Sequence, residues 1–137
     1  MKSNRKIQIF SWALVLLCMA VIFILSAQTG DESQSLSDGL VTDDLSSDFI
    51  RTCAHFLEYA GLSVLIYNAL YRSYGYCRPY LTIIISSLYA VSDEVHQLFV
   101  PGRSGQISDV LLDSVGALLG VFTLAMICRL VLVRRRK

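Results

Sequence analysis

Long apolar runs alternate with polar segments along the 137-residue chain, and there are four of them, covering about residues 7–27, 51–71, 79–99 and 109–132. Each is close to the ~20 residues that an α-helix needs to cross the hydrocarbon layer of a bilayer. The pattern predicts an all-α integral membrane protein, a single domain over 1–137 with four transmembrane helices. The first run follows a basic start, Met1-Lys2-Ser3-Asn4-Arg5-Lys6, so it also has the outline of a signal peptide, with Leu25-Ser26-Ala27 as the cleavage site. Its length favours an uncleaved span.

The connections carry their own signals. Residues 28–50 form a polar loop with Asp31, Glu32, Asp38, Asp43, Asp44 and Asp48, in which Thr42-Asp43-Asp44-Leu45 is placed to cap a short interfacial helix. The turn Arg72-Ser73-Tyr74-Gly75-Tyr76-Cys77-Arg78-Pro79 has tyrosines suited to a headgroup layer, and Pro79 falls in a first helical turn, where a missing N–H costs nothing. In the connection 100–108, Pro101-Gly102 suits the centre of a type II turn. Ser108 is expected to cap the last helix, with Asp109 complementing its N-terminus.

Composition supports a membrane setting. The chain is 54% hydrophobic and only 17% charged, against about 25% charged for an ordinary soluble domain. The net charge of +1 says little, but its distribution says more. With both termini cytoplasmic, Lys2, Arg5, Lys6, Arg72, Arg78, Arg129, Arg134, Arg135, Arg136 and Lys137 fall on the inner side, as the positive-inside rule requires. The acids then fall outside, in the outer loops 28–50 and 100–108 or in the outer parts of the helices. Cys18, Cys53, Cys77 and Cys128 lack Cys-x-x-Cys spacing, so a disulfide framework or zinc knuckle is not expected.

The ionisable residues of the spans gather at one level. His55 and Glu58 lie near the outer end of the second helix, Asp93, Glu94, His96 and Gln97 at the end of the third, and Asp109 and Asp113 at the start of the fourth. Thr52, His55 and Tyr59 share one stripe, and Tyr89, Asp93 and His96 share another. On the fourth helix, Asp109 and Asp113 lie on the face of Gly116-x-x-x-Gly120, a spacing that lets a neighbouring helix approach closely. Carboxylates at this depth pair, bind cations or line a wet cavity. Five acids beside Arg51, Arg103 and two histidines leave an excess of negative charge, which a cation would relieve.

Several pieces together resemble the VanZ-like family, named after an accessory factor in teicoplanin resistance. They are Leu25-Ser26-Ala27-Gln28-Thr29-Gly30 with Ser33 and Ser37; Ala54-His55-Phe56 with Glu58-Tyr59; Ser92-Asp93-Glu94-Val95-His96-Gln97; and Val100-Pro101-Gly102-Arg103 leading to Ser108-Asp109-Val110 and Asp113-Ser114-Val115-Gly116. One departure is Thr52, where the resemblance leads one to expect Lys. The resemblance covers nearly the whole chain. It implies a multi-pass protein of the bacterial cytoplasmic membrane, associated with tolerance to glycopeptide or lipoglycopeptide antibiotics, and it implies no particular catalytic residue.

Three roles remain open. The first is a non-enzymatic envelope factor that binds a glycopeptide antibiotic, a lipid-linked cell-wall precursor or a partner protein through Gln97, Arg103, Asp109 and Asp113. The alternative is a membrane-embedded enzyme acting on a lipid or cell-wall precursor. His55, Glu58, Asp93, Glu94 and His96 are its candidate catalytic groups, and His55, Asp93, Glu94 and His96 are candidate ligands of a divalent metal. The blander counterpart is a hydrogen-bonded network that fixes helix packing. Arg103 suits a phosphate or carboxylate, or else a salt bridge to Asp93 or Asp109. Ser26 and Gln28 could close the site from the first helix, though a frayed polar helix end is the simpler reading. A transporter is the weakest of the three, because nothing polar continues inward beyond Ser86 and Ser87. The lipid bilayer is an expected partner and nucleic acid is not.

Overall fold

The computed structural model describes residues 4–28, 44–101, 103 and 105–134, with backbone only for 44–50 and 130–134. They form four helices: α1 (Arg5–Ser26), α2 (Asp44–Tyr74), α3 (Pro79–Gln97) and α4 (Ile107–Arg134). Among the described residues, two stretches, Arg5–Ser26 and Ile107–Arg129, are long and apolar enough to cross a membrane. In α3 the buried Thr82, Ser86, Asp93, Glu94 and Gln97 lower the hydropathy.

The helix centres fall where the apolar runs place them, but several ends differ. α2 is 31 residues long and begins at Asp44 rather than at 51. Its opening turns are the acidic Asp44-Leu45-Ser46-Ser47-Asp48, expected to be loop or a separate short helix. Acids are favoured in a first turn, so hydropathy alone placed the boundary too late. The proposed cap residues Thr42 and Asp43 lie outside the described residues. α3 stops at Gln97, and tighter bonds from Phe99 N to His96 O (3.0 Å) and from Val100 N to Gln97 O (3.0 Å) close its end. α4 begins before Ser108, which therefore sits inside the first turn instead of capping it. Its hydroxyl reaches Gln106 Oε1 at 3.4 Å and Asp109 Oδ1 at 3.3 Å. Gly102 of the expected Pro-Gly turn, most of the first polar loop and the basic end 135–137 also lie outside the described residues.

Side-chain bonds set the order of the helices. At one end, Gln8 Nε2 donates to the Arg72 carbonyl (3.0 Å) and Trp12 Nε1 donates to Ser73 Oγ (3.1 Å), so α1 runs antiparallel to α2. Gly75, at φ +79°, ends α2 in the left-handed conformation that suits glycine. α3 returns beside α1, and Tyr89 donates its hydroxyl to the Met19 carbonyl (2.6 Å). α2 lies at the centre and touches all three other helices. It supplies Tyr59, Leu62, Ile66, Ala69 and Leu70 to a core completed by Val15, Ile22 and Ala90. The outward faces of α1, α3 and α4 remain apolar, with Phe10, Leu16, Ile24, Leu88 and Phe122 exposed. An apolar surface this extensive matches lipid rather than water.

Polar side chains within the helices are largely satisfied by their own backbone. Ser11, Ser63, Ser73 and Thr82 each donate to a carbonyl three or four residues earlier, at 2.8–3.0 Å. The closest helix contact is that of α2 with α4. A Cβ added at Gly116 would lie 2.5 Å from the Phe56 carbonyl oxygen, and one at Gly120 would collide with the Ala60 carbonyl and the Ser63 hydroxyl. The Gly116-x-x-x-Gly120 face thus faces α2, as its spacing predicts.

Because the obstructing atoms are backbone, Gly116→Ala and Gly120→Ala are each expected to cost about 1–3 kcal/mol. Gly61, with open space around its Cβ position, serves as the control. Gly61→Ala should be neutral or slightly stabilising. Thermal unfolding of the detergent-purified variants checks both expectations.

Candidate functional site

The C-terminal ends of α1 and α3 meet the part of α2 around His55 and the first turns of α4 at the same end of the bundle. Asp93 is the most buried acid described in this region, 2% exposed. Its Oδ1 accepts a 2.5 Å hydrogen bond from Ser26 Oγ of α1, and its Oδ2 faces Gln97 Nε2 at 3.4 Å. A buried carboxylate needs such donors, and a short bond to a charged acceptor is among the stronger kinds. Ser26 is itself fully buried. The end of α1 is therefore a packed part of the site and not a frayed terminus.

Glu94 is held differently. Its Oε1 accepts the backbone N–H of Gln106 at 2.5 Å. Gly105 makes this possible by lying against the Leu98 side chain, with the Glu94 carbonyl 3.2 Å from its Cβ position. The connection between α3 and α4 is thereby folded back onto α3. Gln106 has no chemical motif of its own, and its role comes from a backbone group, which residue types do not reveal.

Arg103, half-buried in that connection, donates from Nε to the Gln28 carbonyl at 3.2 Å. Among the described residues it forms no salt bridge to Asp93 or Asp109, the pairing that its position had suggested. Burial, followed by the neighbouring charge of Arg51, pushes its pKa below the ordinary value, while Asp93 and Glu94 act in the opposite sense. An arginine starts so high that it stays cationic at neutral pH.

These groups surround a pocket of about 70 Å³. Arg51, Thr52 and His55 line it from α2, Glu94 and Gln97 from α3, Arg103 and Gln106 from the connection, and Asp109, Leu112 and Asp113 from α4. All four expected ligand-binding residues, Gln97, Arg103, Asp109 and Asp113, thus reach one space. Asp113 is 3% exposed, and its Oδ1 has no hydrogen-bond partner. Glu58 Oε2 and the Tyr59 hydroxyl are also buried without partners, and His55 Nδ1 lies 3.9 Å from Glu58 Oε2. Buried polar atoms left unpaired are rare in folded proteins and mark places where water or a ligand completes the bonding.

The candidate metal and catalytic residues are divided. His55 and Glu94 line the pocket. Asp93 is taken up by Ser26 and Gln97, and His96 lies against α1, stacked on Phe23 with ring centroids 4.1 Å apart. Among the described residues, no three His, Cys, Asp or Glu side chains form a group able to hold a metal ion. The shared stripe of Asp93 and His96 was legible from spacing, but their different partners on α1 were not. Phe23 in particular looks like any lipid-facing residue.

The Ser26–Asp93 bond joins two helices and should be measurable. Ser26→Ala is expected to cost about 1–3 kcal/mol by leaving a buried carboxylate short of a donor. Stability measured for Ser26→Ala, Asp93→Asn and the double variant should be non-additive. Additive effects would remove this bond from the account.

A protein-family model described as VanZ/LLP1 matches residues 10–131. No curated protein and no solved structure shows a significant match to the chain.

Proposed function

Because the chain belongs to the VanZ/LLP1 family, we propose that it is a four-span protein of the bacterial cytoplasmic membrane whose polar pocket serves tolerance to glycopeptide and lipoglycopeptide antibiotics of the teicoplanin type. In this reading both termini are cytoplasmic and the pocket opens at the outer leaflet. The charge distribution supports the orientation. Arg72 and Arg78 lie at the bundle end opposite the pocket, where Arg78 rests 4.1 Å from the centroid of the Tyr74 ring and 4.6 Å from that of Tyr76. This basic, aromatic end suits the cytoplasmic headgroup layer.

The observation that carries the proposed binding role is Arg103. It is half-buried at the pocket and held through Nε by a neutral carbonyl, without a carboxylate in contact among the described residues. An arginine held this way is suited to a phosphate or carboxylate brought by a ligand. The acids that line the same pocket, Glu94, Asp109 and Asp113, favour a ligand that also presents positive charge. The chain therefore acts by binding an antibiotic or an envelope component at the membrane surface.

Two measurements test this reading. Cys77 is exposed beside the basic turn. In a variant whose other cysteines are replaced by alanine, a membrane-impermeant maleimide should label Cys77 in inverted vesicles and leave it unlabelled in intact cells. Labelling in intact cells would reverse the orientation. In a strain whose teicoplanin tolerance depends on this chain, Arg103→Ala should lower the inhibitory concentration towards the deletion value at unchanged protein level. Full tolerance in that variant would remove Arg103 from the function.

A further inference from the structure

The pocket has an electrostatic asymmetry that narrows what it can hold. Arg103 lines it from the connection between α3 and α4, and Asp113 lines it from α4 with a buried oxygen that no described protein group satisfies. Glu94 already has the Gln106 N–H, and Asp109 is approached by the Ser108 hydroxyl. Among the described residues that line the pocket, the buried side-chain oxygen left without a partner is Asp113 Oδ1, and Arg103 lines the same space. Among the described residues no three His, Cys, Asp or Glu side chains are grouped to hold a metal ion, and the unpaired Asp113 oxygen calls for a partner of another kind. It suffices for an ammonium, which donates up to three hydrogen bonds.

The size of the pocket sets a second limit. A pocket of about 70 Å³ takes the polar head of a ligand, not a whole antibiotic. The surroundings set a third. At the same end of the bundle the large apolar side chains Leu57, Leu98, Phe99, Ile107 and Leu111 are turned outward, with Phe99 81% and Ile107 82% exposed. A ligand whose polar head enters the pocket can therefore lay apolar chains along the adjoining surface.

We propose that the pocket binds the head group of an amine-bearing phospholipid, with the primary ammonium on Asp113 and the phosphate on Arg103. This rests on the reading of the pocket as an outer-leaflet binding site and specifies its ligand class. The ammonium satisfies Asp113 Oδ1 and offsets the excess negative charge of the cluster, and the phosphate receives charge-assisted bonds from the guanidinium. A choline head group carries the same charge but has no N–H to donate, so it leaves Asp113 Oδ1 unpaired. Discrimination between the two follows from that one missing donor.

The test uses the purified full-length chain in nanodiscs of phosphatidylglycerol doped with phosphatidylethanolamine or phosphatidylcholine, with retained lipid counted by native mass spectrometry. The wild type should retain phosphatidylethanolamine about tenfold more strongly than phosphatidylcholine, the worth of one charge-assisted hydrogen bond. Asp113→Asn, nearly equal in shape, should abolish that preference while the helix content stays unchanged. Arg103→Gln should weaken both lipids alike. Equal retention of the two lipids by the wild type, or an intact preference in Asp113→Asn, would overturn the proposal. Soluble phosphoethanolamine is added in a separate arm. If it displaces the lipid at millimolar concentration, the head-group chemistry stands but the lipid tails contribute little. If it does not, the apolar surface is part of the site. Because lipid retention is measured without antibiotic, its failure beside an Arg103-dependent teicoplanin phenotype would overturn the ligand assignment alone.

Discussion

Asp93 has to be satisfied inside the bundle, because at 2% exposure water cannot do it. Moving a carboxylate out of water costs several kcal/mol unless donors replace the lost hydration. Here the main donor is Ser26, the last residue of α1, so the length and register of α1 are tied to the acid of α3. The Tyr89 hydroxyl on the Met19 carbonyl makes a second tie about two turns away along α1. Two bonds between the same helices leave little freedom to slide. With α1 held there, Gln28 lies where its carbonyl receives Arg103. The position of the pocket arginine thus depends on how a buried acid in another helix is solvated.

The other wall of the pocket depends on small residues. Gly116 and Gly120 let α4 rest against the carbonyls of Phe56 and Ala60. Asp113 lies one turn before Gly116, on the same face, and so is carried toward α2 and the line of Arg51, Thr52 and His55. Bulkier residues at the two glycines would hold α4 away and open the pocket. Stability and binding geometry are therefore coupled in this protein. The glycines contribute no chemistry, yet they determine how far the carboxylate of α4 stands from Arg51 and His55 of α2.

Much of this organisation is legible in residue order. The four helices announce themselves as apolar runs, and the family resemblance resting on Ser92–Gln97 and Val100–Gly116 agrees with the match over residues 10–131. The gathering of acids and histidines at one bundle end follows from the antiparallel alternation of the helices. Boundaries were less legible. The first turns of α2 are acidic and serine-rich, and a hydropathy criterion has no means of telling a polar helical turn from a loop. Ser108 has the right type for a cap, but the preceding residues extend the helix past it.

The sequence by itself determined the helical class, the family, the level at which the ionisable groups lie and the helix face that carries the glycines. These depend on local spacing and on the cost of exposing polar groups to lipid, and both can be read one segment at a time. Only the tertiary structure decided which acid is satisfied and which is left wanting a partner. Asp93 and Asp113 are the same residue type at the same level, but Ser26 reaches one, while Oδ1 of the other has no donor. It likewise separated Glu94 from His96, two residues apart, by giving one a backbone N–H and the other an aromatic ring. Those partners come from distant parts of the chain, and hydrogen bonding at a few ångströms depends on helix register and tilt, which residue order alone does not specify.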